Sequence, residues 1–105
     1  MSLDNQTRKT YRSIGHKLNP VVTVKDLSAS VTAEIERALN DHELIKIKIM
    51  AEDREAKTAL IDEVCRKVGA ELIQVAGHVA LILRPAQKPN PALSNLERHR
   101  RSQVD

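Results

Sequence analysis

Apolar residues recur along the chain at two spacings, and the longer of these spacings predicts helices. Tyr11, Ile14 and Leu18 are three and four residues apart, which places them on one face of a helix. A stripe of four apolar residues with a constant spacing of four marks a second helix after Ser28, a plausible N-cap. Gly69 follows a third predicted helix, at the position of its C-terminal cap. The predicted helices cover residues 7–18, 28–40 and 54–68.

Alternation of apolar and polar residues predicts strands, most clearly from Leu44 to Met50. In that segment three isoleucines point one way, and Lys46 and Lys48 point the other way. One face of this strand should be buried, and the other should face water or an anion. Similar but shorter signals predict strands over residues 21–24, 72–75 and 78–83, the last two joined by a tight turn at Ala76-Gly77.

The predicted order α-β-α-β-α-β-β indicates one α/β domain over residues 1–85. Its fold would be a four-stranded mixed sheet packed with helices. The two β-α-β units imply parallel neighbouring strands with right-handed crossovers, and the final hairpin is antiparallel. Residues 86–105 contain two prolines and few apolar residues, so we expect a flexible basic tail there.

Charge is distributed unevenly along these 105 residues, although the net charge is only +3. Residues 7–17 carry four cations and no acid, and residues 84–105 carry five cations and two acids, so the middle of the chain is acidic overall. Basic ends suit a polyanionic partner, although they could also serve only to keep the protein soluble.

A single cysteine cannot form an internal disulfide. No apolar run is long enough for a membrane helix, so we expect a cytoplasmic protein.

Signatures of catalysis and of metal or cofactor binding are missing. Three glycines do not make a phosphate-binding loop, and no serine nucleophile elbow occurs. Cys65 lies in a helical stripe and lacks the electropositive setting of a reactive thiol. Asp41-His42-Glu43 resembles a metal or acid–base cluster, but adjacent side chains in a turn diverge. We therefore predict a non-enzymatic protein with no cofactor and no metal.

Binding to RNA has a more coherent basis in the sequence. Lys46 and Lys48 share one strand face and can reach one phosphate backbone, although a solvated sheet face explains them equally well. The one aromatic residue, Tyr11, belongs to a helix core, which argues against base stacking and favours recognition of folded RNA by shape. The candidate RNA-binding residues are Arg8, Arg12, His16, Lys17, Lys25, Ser28, Lys46, Lys48, Arg54, Lys57 and Arg84.

Residues 33–48 read Ala-Glu-Ile-Glu-Arg-Ala-Leu-Asn-Asp-His-Glu-Leu-Ile-Lys-Ile-Lys. This segment is the most specific of several that resemble the YhbY family of CRM-domain proteins. Residues 14–22, Ile-Gly-His-Lys-Leu-Asn-Pro-Val-Val, resemble the opening of these proteins. Residues 51–55 and 83–85 fit as well, so the resemblance covers about residues 7–85, and residues 88–96 resemble the tail of some bacterial members.

This resemblance implies a fold like the C-terminal domain of translation initiation factor 3. It also implies binding to ribosomal RNA of the large-subunit precursor and a role in ribosome assembly, whereas plant relatives use the domain in organelle intron splicing. One departure concerns the Gly-x-x-Gly loop that the family usually has between the first strand and the second helix. Residues 24–28, Val-Lys-Asp-Leu-Ser, contain no glycine and are two residues shorter, so affinity or RNA choice should differ.

The main hypothesis is a non-catalytic, monomeric RNA-binding factor without membrane association. An adaptor that docks on a ribosomal protein or an assembly factor is the alternative. A small enzyme acting near Asp41, His42 and Glu43 is a third and weaker option. DNA binding is disfavoured because no helix-turn-helix signature occurs.

Overall fold

The computed structural model describes residues 3–102. These residues form four helices and four strands, and none of the helices is both long and apolar enough to cross a membrane. In chain order the elements are α1 (Asn5–Gly15), β1 (Pro20–Val24), α2 (Ala29–His42), β2 (Leu44–Ile49), α3 (Arg54–Val68), β3 (Glu71–Ala76), β4 (Val79–Leu83) and α4 (Asn95–Ser102).

The strands form one mixed sheet in the order β1-β2-β4-β3, which confirms the predicted α/β class. β1 and β2 are parallel, and β4 is antiparallel to both β2 and β3. The expectation that both crossovers join neighbouring strands is wrong for the second one, because β4 lies between β2 and β3. Four of the five residues of β4 are buried, so this apolar strand takes a central position and leaves the more polar β3 at the edge.

Helices cover both faces of the sheet, which divides the core into two clusters. α2 and α3 pack on the face that holds Ile45, Ile47 and Ile49 of β2. α1 and α4 lie on the opposite face, where Tyr11, Ile14 and Leu96 pack against apolar residues of β2, β3 and β4. Because α1 and α4 cover only part of that face, Val21 and Thr23 of β1 remain exposed beside them.

Local capping explains where the helices begin and end. The Ser28 and Asp53 side chains accept hydrogen bonds from backbone N–H groups in the first turns of α2 and α3, as N-cap residues do. Gly69 ends α3 with a left-handed φ of 68°, which confirms the predicted cap. Asp4, an N-cap that the sequence analysis missed, accepts a hydrogen bond from the Thr7 N–H at 2.7 Å, and this bond lowers the pKa of Asp4.

Gly15 marks a close approach between the end of α1 and β4. A Cβ atom at this position would lie 2.5 Å from Cδ2 and 3.2 Å from Cγ of Leu81, which is only 2% exposed and would have to shift within a packed core. Helix propensity alone would make alanine better than glycine by up to about 1 kcal/mol. The contact reverses this preference, because overpacking a core costs about 1–3 kcal/mol.

Gly15→Ala is therefore expected to lower the free energy of unfolding by about 1 kcal/mol, measured by urea denaturation. Ser13→Ala, at an exposed position of the same helix, is the matched control and should be neutral or slightly stabilising. A stabilised Gly15→Ala protein would contradict the packing of α1 on β4.

The segment after Pro85 differs from the flexible tail that its composition suggests. Residues 95–102 form α4, and Ser94 is completely buried. The composition is misleading here because polar contacts, and not an apolar core, fix the segment to the rest of the protein. Residues 103–105 of the expected tail lie outside the described residues.

Candidate RNA interface

Lys46 and Lys48 lie on the face of β2 that carries α1, and this placement agrees with their alternation with buried isoleucines. Lys46 pairs with Leu81 of β4, and Lys48 pairs with Val79. Lys46 is half-buried and Lys48 is exposed. Their Cα atoms are separated by two residues of a strand, about 6.6 Å. Because β2 is hydrogen-bonded on both sides, it holds the two ammonium groups on a rigid base.

Lys46 and Lys48 each line one of two grooves on the surface. His16, at the C-terminal cap of α1, lines one groove of about 490 Å³ with Lys46 and Gln74. Lys25, which follows β1, lines a second groove of about 890 Å³ with Lys48. We call the set of His16, Lys46, Lys48 and Lys25 the cationic strip; the structure thus brings together four of the residues singled out in the sequence.

His78 also lines the groove that Lys25 and Lys48 share, although the sequence analysis did not select it. It lies in the turn between β3 and β4, and its backbone carbonyl accepts a hydrogen bond from the Ile49 N–H at 2.7 Å. The sequence carried no signal for it, because only the observed order of the strands, with β4 antiparallel to β2, brings the hairpin turn to the end of β2.

The loop that leads into α2 is closed by its own side chains. Asp26 accepts a hydrogen bond from the Ser28 N–H at 3.0 Å, and the Ser28 hydroxyl accepts one from the Val31 N–H at 3.2 Å. No residue of this loop has a positive φ. Ser28 therefore acts as a helix cap, and the backbone amides that a Gly-x-x-Gly loop would offer to a phosphate are partly occupied here.

Three of the candidate cations are engaged within the protein. Arg8 donates to the Leu72 carbonyl at 2.9 Å and pairs with Glu71 at 3.3 Å, which fixes α1 to β3. Lys57 donates to the Gly77 carbonyl at 2.7 Å. The guanidinium of Arg84 contacts α2 and the last turn of α3, at the end of the sheet far from Lys48. Arg84 therefore supports the fold, and we leave it out of the interface.

The remaining candidates are exposed but differ in position. Arg12 belongs to α1 and Lys17 follows it, so both lie on the side of the sheet that carries the cationic strip. Arg54 begins α3 on the other side and lines a small groove with Lys57. The structure therefore does not bring Arg54 and Lys57 into the cationic strip.

Asp41, His42 and Glu43 do not converge on a common site. The His42 Nδ1 lies 2.9 Å from the Leu93 carbonyl oxygen, and the Glu43 carboxylate is buried against other residues of the C-terminal segment. Within residues 3–102, no group of three His, Cys, Asp or Glu side chains could hold a metal ion. His42 and Glu43 instead connect the domain to the segment that follows it.

Cys65 is half-buried in α3, and its surroundings disfavour the thiolate. Burial, with a contribution from the negative charges of Asp62 and Glu71, raises the pKa of Cys65 to about 11. Because the thiolate is the reactive form, alkylation at pH 8 should be about two orders of magnitude slower than that of a free thiol. The rate should rise with pH up to about 11, and stopped-time iodoacetamide labelling with mass spectrometry will measure it. A fast reaction at pH 8 in the folded protein would contradict this environment.

Comparison with known proteins identifies the family of the chain. Residues 3–84 match the CRS1 / YhbY (CRM) domain. A probable RNA-binding protein of Pseudomonas aeruginosa is 46% identical over 100 residues, which cover 93% of this chain and 96% of that protein. An RNA-binding protein of Haemophilus influenzae is 38% identical over 89 residues, with coverage of 83% and 90%.

More distant similarity extends to an archaeal protein and to a solved structure. A probable RNA-binding protein of Methanocaldococcus jannaschii is 33% identical over 88 residues, which cover 81% of this chain and 66% of that protein. The solution structure of a hypothetical protein from Staphylococcus aureus has the same fold, with a TM-score of 0.72, 22% identity, and coverage of 83% of this chain and 93% of that one. From the match over residues 3–84 and the identity to these relatives, the chain belongs to the CRS1/YhbY (CRM) domain family.

Proposed function

We propose that this protein binds RNA without catalysing a reaction, and that its target is the precursor of large-subunit ribosomal RNA, where it serves as an assembly factor. The observation that carries the proposal is the cationic strip: two lysines on one face of a rigid strand, with Lys25 in the groove at one end and the imidazole of His16 in the groove at the other. A phosphate backbone is the ligand that a row of fixed cations fits best.

The surroundings of the strip favour folded RNA over single strands. The exposed sheet residues beside it are aliphatic or polar, such as Val21, Thr23 and Gln74. Tyr11, the one aromatic residue of the chain, packs partly buried in the core cluster under α1. No Phe or Trp occurs in the chain and Tyr11 is partly buried, so the surface lacks the rings on which bases most often stack, and recognition rests mainly on the shape and spacing of phosphates.

Support for the choice of RNA comes from the family. Relatives over most of the chain are named RNA-binding or probable RNA-binding proteins. The large-subunit precursor is what the sequence resemblance to YhbY proteins implies. On this proposal the protein acts as a monomer in the cytoplasm.

Crosslinking in living cells, followed by sequencing of the attached RNA, tests the proposal directly. Strong enrichment of precursor large-subunit ribosomal RNA at a few positions is the expected result. An RNA sample in proportion to cellular abundance would reject a ribosomal target and leave only non-specific affinity.

An adaptor function is the second candidate, and one feature of the surface favours it. The groove beside Lys25 is lined by apolar residues of α3 and by Met50, which is 45% exposed. A protein partner could bury this surface. Purification from cells with and without RNase separates the two functions, because an adaptor keeps its protein partner after RNA has been digested.

A further inference from the structure

Residues 86–102, which we call the C-terminal arm, are fixed to the domain by side-chain hydrogen bonds. The Ser94 hydroxyl donates to Glu43 at 2.6 Å, and the Ala86 N–H donates to the other oxygen of the same carboxylate at 2.6 Å. Asn95 donates to the Leu44 carbonyl at 2.6 Å. The arm lies outside residues 3–84, which match the family domain.

Glu43 combines an unfavourable backbone conformation with deep burial, which indicates that its contacts hold it in place. Its φ of 63° is the only positive value among the non-glycine residues that the structure describes, and the residue is 3% exposed. Such a conformation costs about 1 kcal/mol or more and persists where the surroundings compensate. A buried carboxylate also needs hydrogen-bond donors. The arm supplies donors from Ala86 and Ser94, so Glu43 is an anchor for the arm.

The anchored arm begins a short cationic helix. Ser94 accepts a hydrogen bond from the Glu97 N–H at 3.2 Å and thereby caps α4, while Leu96 packs into the core cluster under α1. Arg98 and Arg101 are exposed and three residues apart, so they share the outer face of α4. Arg101 uses one of its N–H groups on the Pro91 carbonyl.

α4 extends the basic surface of α1 on the same side of the sheet. The two helices contact each other. On α1, the exposed residues Lys9, Arg12 and His16 are spaced three and four apart and therefore form one row. His16, the last of them, belongs to the cationic strip. Cations thus occur on α4, along α1 and on the strands, all on one side of the protein.

We propose that the C-terminal arm is a second RNA-binding surface, which takes phosphates of the same folded RNA on Arg98 and Arg101 and depends on the Glu43 anchor for its position. This inference rests on the proposed function. With a loose basic tail, affinity for RNA would depend on the charge of the arm alone. With a docked arm it also depends on the fixed position of the arginines, so undocking the arm weakens RNA binding although the charge is unchanged.

The test compares charge reversal with undocking, using in vitro transcribed large-subunit ribosomal RNA as the probe. Arg98→Glu with Arg101→Glu should weaken binding about tenfold and lower the slope of log K against log salt by about two. Ser94→Ala and Asn95→Ala retain every cation and should each weaken binding about threefold, with faster amide hydrogen exchange in residues 95–102. Ser102→Ala is the matched control, because its hydroxyl bonds only within α4.

Urea denaturation establishes that each variant is folded before binding is measured. If Ser94→Ala does not fold, Asn95→Ala still tests undocking, because it leaves the hydrogen bonds of Glu43 intact. Wild-type binding by the undocked variants, despite faster exchange, would mean that the arm acts only as a loose charged tail and would overturn the inference. Wild-type binding by the Arg98 and Arg101 variant would also overturn it, and the proposed function would stand if Lys46 and Lys48 remained necessary. If reversal at Lys46 and Lys48 also had no effect, both proposals would fail.

Discussion

Replacing Lys46 and Lys48 together with glutamate is expected to weaken binding to large-subunit ribosomal RNA about 30-fold or more at low ionic strength. Each lost phosphate contact costs about 1 kcal/mol of binding free energy, which corresponds to about 30-fold for the pair. Repulsion between the new carboxylates and the phosphates weakens binding further. The salt dependence should fall as well, by about one unit of slope for each cation removed. A gel-shift or fluorescence titration at several salt concentrations measures both effects.

The matched control for this variant carries the same change of charge on the opposite side of the sheet. Arg37 and Arg66 are exposed residues of α2 and α3, so Arg37→Glu with Arg66→Glu alters net charge equally without touching the cationic strip. Equal losses of affinity in the two double variants would show that binding responds only to net charge. Unchanged binding in the lysine variant, with the fold intact, would remove Lys46 and Lys48 from the interface.

Replacing Arg84 with alanine is expected to lower the free energy of unfolding by about 3 kcal/mol. Its guanidinium donates at 2.9 Å to Glu36, to the Val68 carbonyl in the last turn of α3 and to Asn40, and its side chain is only 20% exposed. Removing it leaves partly buried acceptors on two helices without their donor. The shift of the urea midpoint at constant slope measures the loss.

Arg84→Lys tests whether geometry or charge is responsible. Lysine retains the charge but cannot reach three acceptors with a planar fork, so it should recover less than half of the lost stability. Arg37→Ala, at an exposed position of α2, should change stability by less than about 0.5 kcal/mol. Because Arg84 lies outside the interface, the folded variant should bind RNA within twofold of the wild type. A selective loss of RNA affinity without a loss of stability would return Arg84 to the binding surface.

Periodicity predicted the regular elements of this protein because local and tertiary preferences agree within them. Isoleucines at every second position of β2 and the N-cap and C-cap residues of α3 each specify their conformation from within a few residues. α4 was missed for the opposite reason. Its eight residues contain one large apolar residue, Leu96, and the hydrogen bonds that fix the segment come from residues about 50 positions earlier in the chain.

The candidate interface was predicted in part. Lys46 and Lys48 could be identified because a strand alternates strictly between its two faces. For arginines the sequence could not distinguish a cation offered to RNA from one used inside the protein. Arg8 and Arg84 bond to groups that are distant along the chain and become neighbours only after folding.

From the sequence alone follow the α/β class, the position of most helices and strands, and the outward direction of the two lysines of β2, because each depends on residues within one or two turns of one another. Only the tertiary structure decided that β4 separates β2 from β3, that the C-terminal arm is docked, and which cations remain available to a phosphate backbone. These outcomes depend on contacts between distant segments, where burial and hydrogen-bond satisfaction outweigh local preference. Gly15 illustrates the division: helix propensity favours alanine there, and the neighbouring Leu81 of β4 disfavours it.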